Sequence, residues 1–230
     1  MPRIKLTQDE ATANLRAMRA SAINDHVTEG RAWYPENGAY ILRIGAAAAK
    51  LTGKLVTDWQ SVGVFAAFSQ NSQWAANVTI ATRYLNRGNA PGSGMARVLA
   101  ECALLEAGAD PTSSDTLGLK RADFCANLLG DMSRVTCDRW HLRAAFNVAA
   151  YDPNDLSNAP KQMGRSREKY KPAKAAKLGR THSDWMIVVG LTADVHAMVT
   201  AATKTVAAEF GESPAACQAV IWCAVRGTGE

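Results

Sequence analysis

The sequence predicts an all-α protein. Three observations carry that expectation. Helix-capping signatures precede successive apolar segments, those segments include an alanine-rich one, and no run alternates apolar and polar residues between hairpin turns. Thr7-Gln8-Asp9-Glu10 has the form of a capping box, in which hydroxyl and carboxylate satisfy each other's backbone amides, and it opens a helix running toward Glu29. Gly30 and Tyr34-Pro35 are expected to interrupt the helical pattern. Residues 38–52 form an alanine-rich helix that stops at Gly53. Thr57 is placed to cap the helix DWQSVGVFAAFSQ, and Ser72 the helix QWAANVTIATRYL. The glycine-rich stretch 88–94 is a loop. Helical patterns resume at 95–107, 119–129, 138–150, 184–210 and 214–225, the last with Ser213 as cap and Pro214 at the first helical position. Residues 151–181 are polar, then basic, and read as a loop with a short basic helix near 169–179.

Composition bounds the function. The chain has 230 residues, 47% apolar and 20% charged, which fits one globular domain or two small lobes and excludes a disordered chain. No run of about 18 apolar residues exists, so no membrane partner is expected. The first fifteen residues contain no apolar leader, so the expected location is the cytoplasm. The five cysteines are odd in number and irregularly spaced, which fits buried thiols in a reducing compartment rather than a disulfide framework. His26, His141, His182 and His196 show no ligand spacing with the cysteines, so neither a metal nor a cofactor is expected.

Charge is concentrated rather than spread. The net charge is +5, yet residues 161–180 alone carry +7: Lys161, Arg165, Arg167, Lys169, Lys171, Lys174, Lys177 and Arg180 stand against Glu168. Such a stretch suits a polyphosphate, because each neutralised phosphate releases condensed counterions. A solvated surface loop has the same composition.

Three short segments carry candidate chemistry. In Val135-Thr136-Cys137-Asp138-Arg139-Trp140-His141-Leu142-Arg143, an acid opens a helix. It is either a plain N-cap or a carboxylate held and aimed beside cations. Lys120 follows Gly118 and is either a surface lysine or, if desolvated, a nucleophile. Phe68-Ser69-Gln70-Asn71-Ser72 ends an apolar helix in a polar cluster, either a turn or a set of amides suited to base edges. Trp74 and Asn77 follow on the next helix.

In this order and spacing the segments resemble the helix–hairpin–helix DNA glycosylase superfamily, over roughly residues 60–146. Gly118-Leu119-Lys120-Arg121-Ala122 occupies the place of that family's Gly-x-Lys-x-Ala, and Val135–Arg143 that of its Asp-bearing segment. Ser114-Asp115-Thr116-Leu117-Gly118 lacks the proline and first glycine of the family's hairpin, and Trp140 stands where the family has histidine. Only Cys217 and Cys223 lie near the C-terminus, so a four-cysteine iron–sulfur cluster is not expected. GLKRADFCANLLGD (118–131), VTCDRW (135–140), the Asn71/Trp74/Asn77 pattern and Gln218–Trp222 are similar to a phage-type branch. That branch includes the α-glutamyl/putrescinyl thymine pyrophosphorylase-like proteins, implicated in base hypermodification.

The resemblance implies a two-lobed helical bundle, with residues 54–137 as one lobe, 1–53 and 138–230 as the other, and an active-site cleft between them. It implies a DNA-acting enzyme that flips a modified base. Asp138 and Lys120 would be catalytic. Gln70, Asn71, Trp74, Asn77 and Trp140 would face the base. Arg139, Arg143, Lys161, Arg165, Arg167, Lys169, Lys171 and Lys174 would hold phosphates. Two alternatives stay open: transfer of a small amine onto a phosphorylated 5-hydroxymethyluracil, and non-catalytic DNA binding. If phage-encoded, the protein would work in the cytoplasm of a bacterial host.

Overall fold

A computed structural model describes residues 4–54, 56–70, 73–89, 95–167, 169–177 and 182–226. The chain is mostly helical, as the sequence predicts, with one two-stranded antiparallel sheet. Among the described residues no helix is long and apolar enough to cross a membrane. The helices are α1 (Gln8–Ala20), α2 (Asn24–Thr52), α3 (Asp58–Phe68), α4 (Trp74–Arg87), α5 (Ala96–Glu106), α6 (Ser114–Leu117), α7 (Leu119–Leu128), α8 (Arg139–Ala145), α9 (Pro172–Lys177), α10 (His182–Met186), α11 (Ala193–Glu209) and α12 (Pro214–Arg226). The strands are β1 (Met163–Arg165) and β2 (Ile187–Val189).

The chain divides into two compact units. A terminal unit holds 4–31 and 137–226, and a central unit holds 32–136. The expected division at 53/54 therefore falls at 31/32, inside α2, while the expected division at 137/138 shifts by one residue.

Local signals set most helix starts. The Thr7 capping box forms, with Glu10 Oε2 accepting from the Thr7 amide at 2.8 Å and Thr7 Oγ1 accepting from the Glu10 amide at 3.2 Å. Thr57 and Gln60 form a second box on α3. Ser213 Oγ accepts from Ala216 N at 3.3 Å, capping α12. Ser72 lies outside the described residues. Helix α4 starts after Gln73, whose side chain makes no cap.

The first helix ends earlier than expected. Ser21 Oγ donates to Met18 O at 2.8 Å, an alternative to continued helix, and α1 stops at Ala20. Helix α2 then runs straight through Gly30 and Pro35, correcting the expected interruption. Packing accounts for both residues. A Cβ at Gly30 would sit 2.5 Å from Val220 Cα, so the glycine lets α2 and α12 touch backbone to backbone in the terminal unit. Pro35 is on the exposed side, where the Arg31 carbonyl that loses an amide partner can reach water.

In the central unit α3 is the hub. Ser61 through Phe68 are all buried, and α3 packs on α4, α5 and α7. Gly38 and Gly45 on α2 make close approaches here too, to Leu128 O and to Ser61. In the terminal unit α1 lies on α11, α12 and α8. Glu212, whose side chain is 1% exposed, joins that unit's ends: Arg19 grips it bidentately at 2.7 and 2.9 Å, and Arg31 adds a contact at 2.9 Å. The five cysteines are buried, and among the described residues none forms a disulfide. Burial pushes the thiols of Cys102, Cys217 and Cys223 up to about 12 and that of Cys125 upward as well, so none of these four is a reactive thiolate at neutral pH.

Among the described residues, the two strands depart from the all-helical reading. The helix expected over 184–210 is split: 184–186 end α10, 187–189 form β2, which pairs with β1 in the register Met163↔Val189 and Arg165↔Ile187, and α11 starts only after the Thr192 cap. Of the expected basic helix, 172–177 forms as α9.

Gly30→Ala should lower stability by about 1–3 kcal/mol in urea titration, because a methyl group must force α2 and α12 apart. Gly190→Ala, with nothing within 4 Å of its added Cβ, is the control and should change stability by less than about 0.5 kcal/mol. Equal effects would show that the close approach is not limiting.

Candidate functional site

Asp138 is the N-cap of α8. Its extended backbone (φ −81°, ψ 175°) leaves Oδ1 to accept from the His141 amide at 2.7 Å. The carboxylate is half-buried, Arg139 is exposed and Trp140 is half-buried. The rest of the short helix is buried: His141, Leu142, Arg143, Ala144 and Ala145.

His141 anchors that buried face. Thr203 Oγ1 donates to Val199 O at 2.7 Å, so its lone pair faces His141 Nε2 at 2.7 Å and fixes the proton on Nε2. Nδ1 finds no hydrogen-bond partner. Complete burial pushes the imidazole down to about 3, so it is neutral at physiological pH.

Helix α8 also packs on β2, and Arg143 Nη2 donates to Ile187 O at 3.3 Å. Arg143 is 5% exposed. It was expected to meet a DNA phosphate; instead it braces the hairpin from inside. Through β2 the hairpin carries β1 and the start of the basic segment. Lys161, Arg165, Arg167, Lys169 and Lys171 are exposed there. Arg165 donates to Asn154 O, and the Lys161 amide donates to Ile4 O at 3.0 Å. The side chain of Lys174 lies outside the described residues. The terminal unit therefore holds Asp138 and a row of exposed cations in a single bonded framework.

Lys120 belongs to the central unit and Asp138 to the terminal one. Lys120 is half-buried in the first turn of α7, next to Gly118, whose φ of +76° suits glycine and lets α6 and α7 meet at one residue. Its neighbour Arg121, which the sequence did not single out, fixes that turn. Arg121 makes a bidentate pair with Glu101 at 2.5 and 2.7 Å and donates to Ala67 O at 3.2 Å. Both side chains are under 10% exposed, and Glu101 also accepts from Arg97 Nε at 3.0 Å, so loss of Glu101 would leave the Arg121 charge buried without its carboxylate. Asn127 Nδ2 donates to Thr136 Oγ1 at 3.0 Å, tying α7 to the segment before Asp138.

The expected base contacts separate. Gln70 is exposed at the end of α3, and Asn71 lies outside the described residues. Asn77 is 1% exposed and its amide donates to Phe65 O at 3.1 Å, so it joins α3 to α4 instead of facing a base. Trp74 is half-buried and packs with Trp33 (centroids 5.3 Å apart), Phe65 (6.3 Å) and Phe124 (6.5 Å), an aromatic cluster of the central unit. An open groove of about 360 Å³ in that unit is lined by Thr57, Trp59, Gln60, Leu105 and Asp110 and includes none of the expected site residues.

Comparison with protein families finds that the model of DUF7178, a family of unknown function, matches residues 2–186. The chain belongs to that family. No curated protein and no solved structure matches it.

Unfolding titrations at several pH values should expose His141. The unfolded chain takes up a proton below about pH 6.5, while the folded protein resists it down to about 3. The unfolded state thus binds more protons across that window, and stability falls as pH falls, by up to about 1.4 kcal/mol per pH unit. His141→Gln should flatten the slope between about pH 6.5 and 4.5, above the carboxylate range. An unchanged slope would contradict the assignment.

Proposed function

We propose that the protein is a DNA-acting enzyme that processes a flipped, modified base, with Asp138 and Lys120 as its reactive groups. The observation that carries this reading is the framework α8–β2–β1, which puts a half-buried carboxylate and a row of exposed cations into one compact unit. Cations bind nucleic acid without regard to sequence. A carboxylate at a helix start, oriented by a backbone amide, supports the developing positive charge of a sugar losing its base. The glycine-hinged α6–α7 turn that presents Lys120, and the motif resemblance of 118–131 and 135–140, support the finer reading as a divergent, phage-type glycosylase-like fold.

In this reading, Arg139, Lys161, Arg165, Arg167, Lys169, Lys171 and Lys174 hold the DNA backbone. Gln70 and Trp140 lie at the base. The base leaves with the C1′–N bond electrons and takes a proton. Asp138 holds the cationic sugar, and Lys120 Nζ forms the new bond to C1′, giving a ring-opened imine. An amine transferase would use the same carboxylate to orient an incoming amine while a phosphate leaves. Burial of Arg143 removes one cation from that leaving-phosphate role.

The test uses DNA bearing 5-hydroxymethyluracil, plain and phosphorylated, with borohydride to reduce any imine. The expected result is a covalent adduct that is lost in Lys120→Ala and reduced at least 100-fold in Asp138→Asn, with DNA affinity retained. An amine-dependent mass gain with phosphate release would select the transferase. Binding with neither product would leave a non-catalytic DNA-binding protein. No salt-sensitive DNA binding at all would end the nucleic-acid reading.

A further inference from the structure

The described chain crosses between its two units at two points, 31/32 inside α2 and 136/137. Each crossing is anchored on both sides within a few residues. Before the first, Arg31 Nε donates to Glu212 Oε1 at 2.9 Å and Gly30 abuts the Val220 backbone, which fixes this end of α2 to the terminal unit. After it, Trp33 packs on Trp74 (centroids 5.3 Å apart) and Phe124 (5.9 Å), and the buried Tyr34 packs on Phe124 (6.2 Å), which fixes the rest of α2 to the central unit. At the second crossing, Thr136 Oγ1 accepts from Asn127 in the central unit, and Cys137 Sγ lies 3.8 Å from Thr200 Oγ1 in the terminal unit.

The backbone of α2 is weakened at the first crossing. Pro35 carries no amide hydrogen, so the carbonyl of Arg31, the last residue of the terminal unit before the boundary, lacks its helical donor. Two residues on, Asn37 Nδ2 donates to the Trp33 carbonyl at 2.8 Å, a side-chain bond that competes with the backbone ladder for that acceptor. Prolines and side chains that enter the ladder are the usual causes of sharp helix bends. Any exposed position of α2 would tolerate a proline without purpose. Position 35 is the one that removes the bond of Arg31 itself.

We propose that the Arg31–Pro35 turn of α2 and the Thr136–Cys137 link form a double hinge on which the terminal and central units reorient. The pivot is short because the anchors stand close on either side. Gly30 and Arg31 move with one unit, Trp33 and Tyr34 with the other, and the backbone change is absorbed around Ala32. Bending there disrupts one backbone bond fewer than it would in an unbroken helix. The second crossing has no helix to break, because residues 135–138 are neither helix nor strand. Lys120 belongs to one unit and Asp138 to the other, so the hinge governs the separation of these two groups. The device belongs to the fold and needs no nucleic acid to operate.

The experiment is pulsed electron paramagnetic resonance on the full chain without ligand. Nitroxides are carried on p-acetylphenylalanine at the position of exposed Thr79 in the central unit and of exposed Lys204 in the terminal unit. With Pro35 in place the distance distribution should be broad or two-peaked. Pro35→Ala, which restores the amide and favours helix, should narrow it at least about twofold, and Ala32→Gly, which loosens the pivot, should broaden it. Hydrogen exchange supplies the local readout: amides within 31–37 should exchange about 10-fold or more faster than those within 40–48, and Pro35→Ala should shrink the difference. Circular dichroism and melting check that each variant is folded. A single narrow distribution that neither substitution alters overturns the hinge. Fast exchange at 31–37 without a spread of distances overturns it as well, because the helix then opens locally while the units stay fixed.

Discussion

Helix α8 is seven residues long, too short to persist in water by itself. Its existence depends on burial of His141, Leu142, Ala144 and Ala145 against α1 and α12, and on the neutral imidazole locked to Thr203. That burial orients everything the helix shows to solvent. With one face fixed, its opening residues emerge at the surface: Asp138 caps, Arg139 is exposed, and the half-buried Trp140 ring meets the Arg226 guanidinium at 5.7 Å. A polar histidine is a costly anchor, because among the described residues its buried Nδ1 has no hydrogen-bond partner. Its benefit is direction. A hydrogen bond to one named hydroxyl fixes the rotation of a short helix more sharply than aliphatic packing does.

The same helix links the cations to the carboxylate. Arg143 directs its guanidinium to Ile187 O and to the half-buried Trp140 ring. The two three-residue strands are too short to stand alone, so this brace and the β1–β2 ladder set where the basic segment begins. Charge that would otherwise belong to a wandering loop acquires a fixed starting point. In the central unit the buried Arg121–Glu101 pair does the corresponding work for the first turn of α7, and with it Lys120.

What the sequence made legible was local. Thr7, Thr57 and Ser213 announce helices because a capping hydroxyl and its amide are three residues apart. Asp138 was legible as a helix start for the same reason. What stayed hidden depends on partners distant in the chain. Gly30 reads as a break because the neighbour that calls for a glycine there, the backbone of Val220, is remote in the chain, and Pro35 because its exposed place on α2 shows only in the fold. Three-residue strands carry too little periodicity to separate from the helix that follows. Arg121 finds Glu101 twenty residues away and His141 finds Thr203 sixty-two away, so neither pairing leaves a pattern. Asn77 misled because a base-reading amide and a helix-bracing amide have the same composition, and only the Phe65 carbonyl distinguishes them.

The central claim is that one compact unit, organised by α8, presents both the carboxylate and the cations to nucleic acid. Photo-cross-linking of a 5-iodouracil oligonucleotide, with the adducts mapped by mass spectrometry of peptides, asks this directly. The account predicts adducts on peptides that contain Trp140 or residues 161–171. Adducts confined to residues 32–136, or none at any salt concentration, would contradict it.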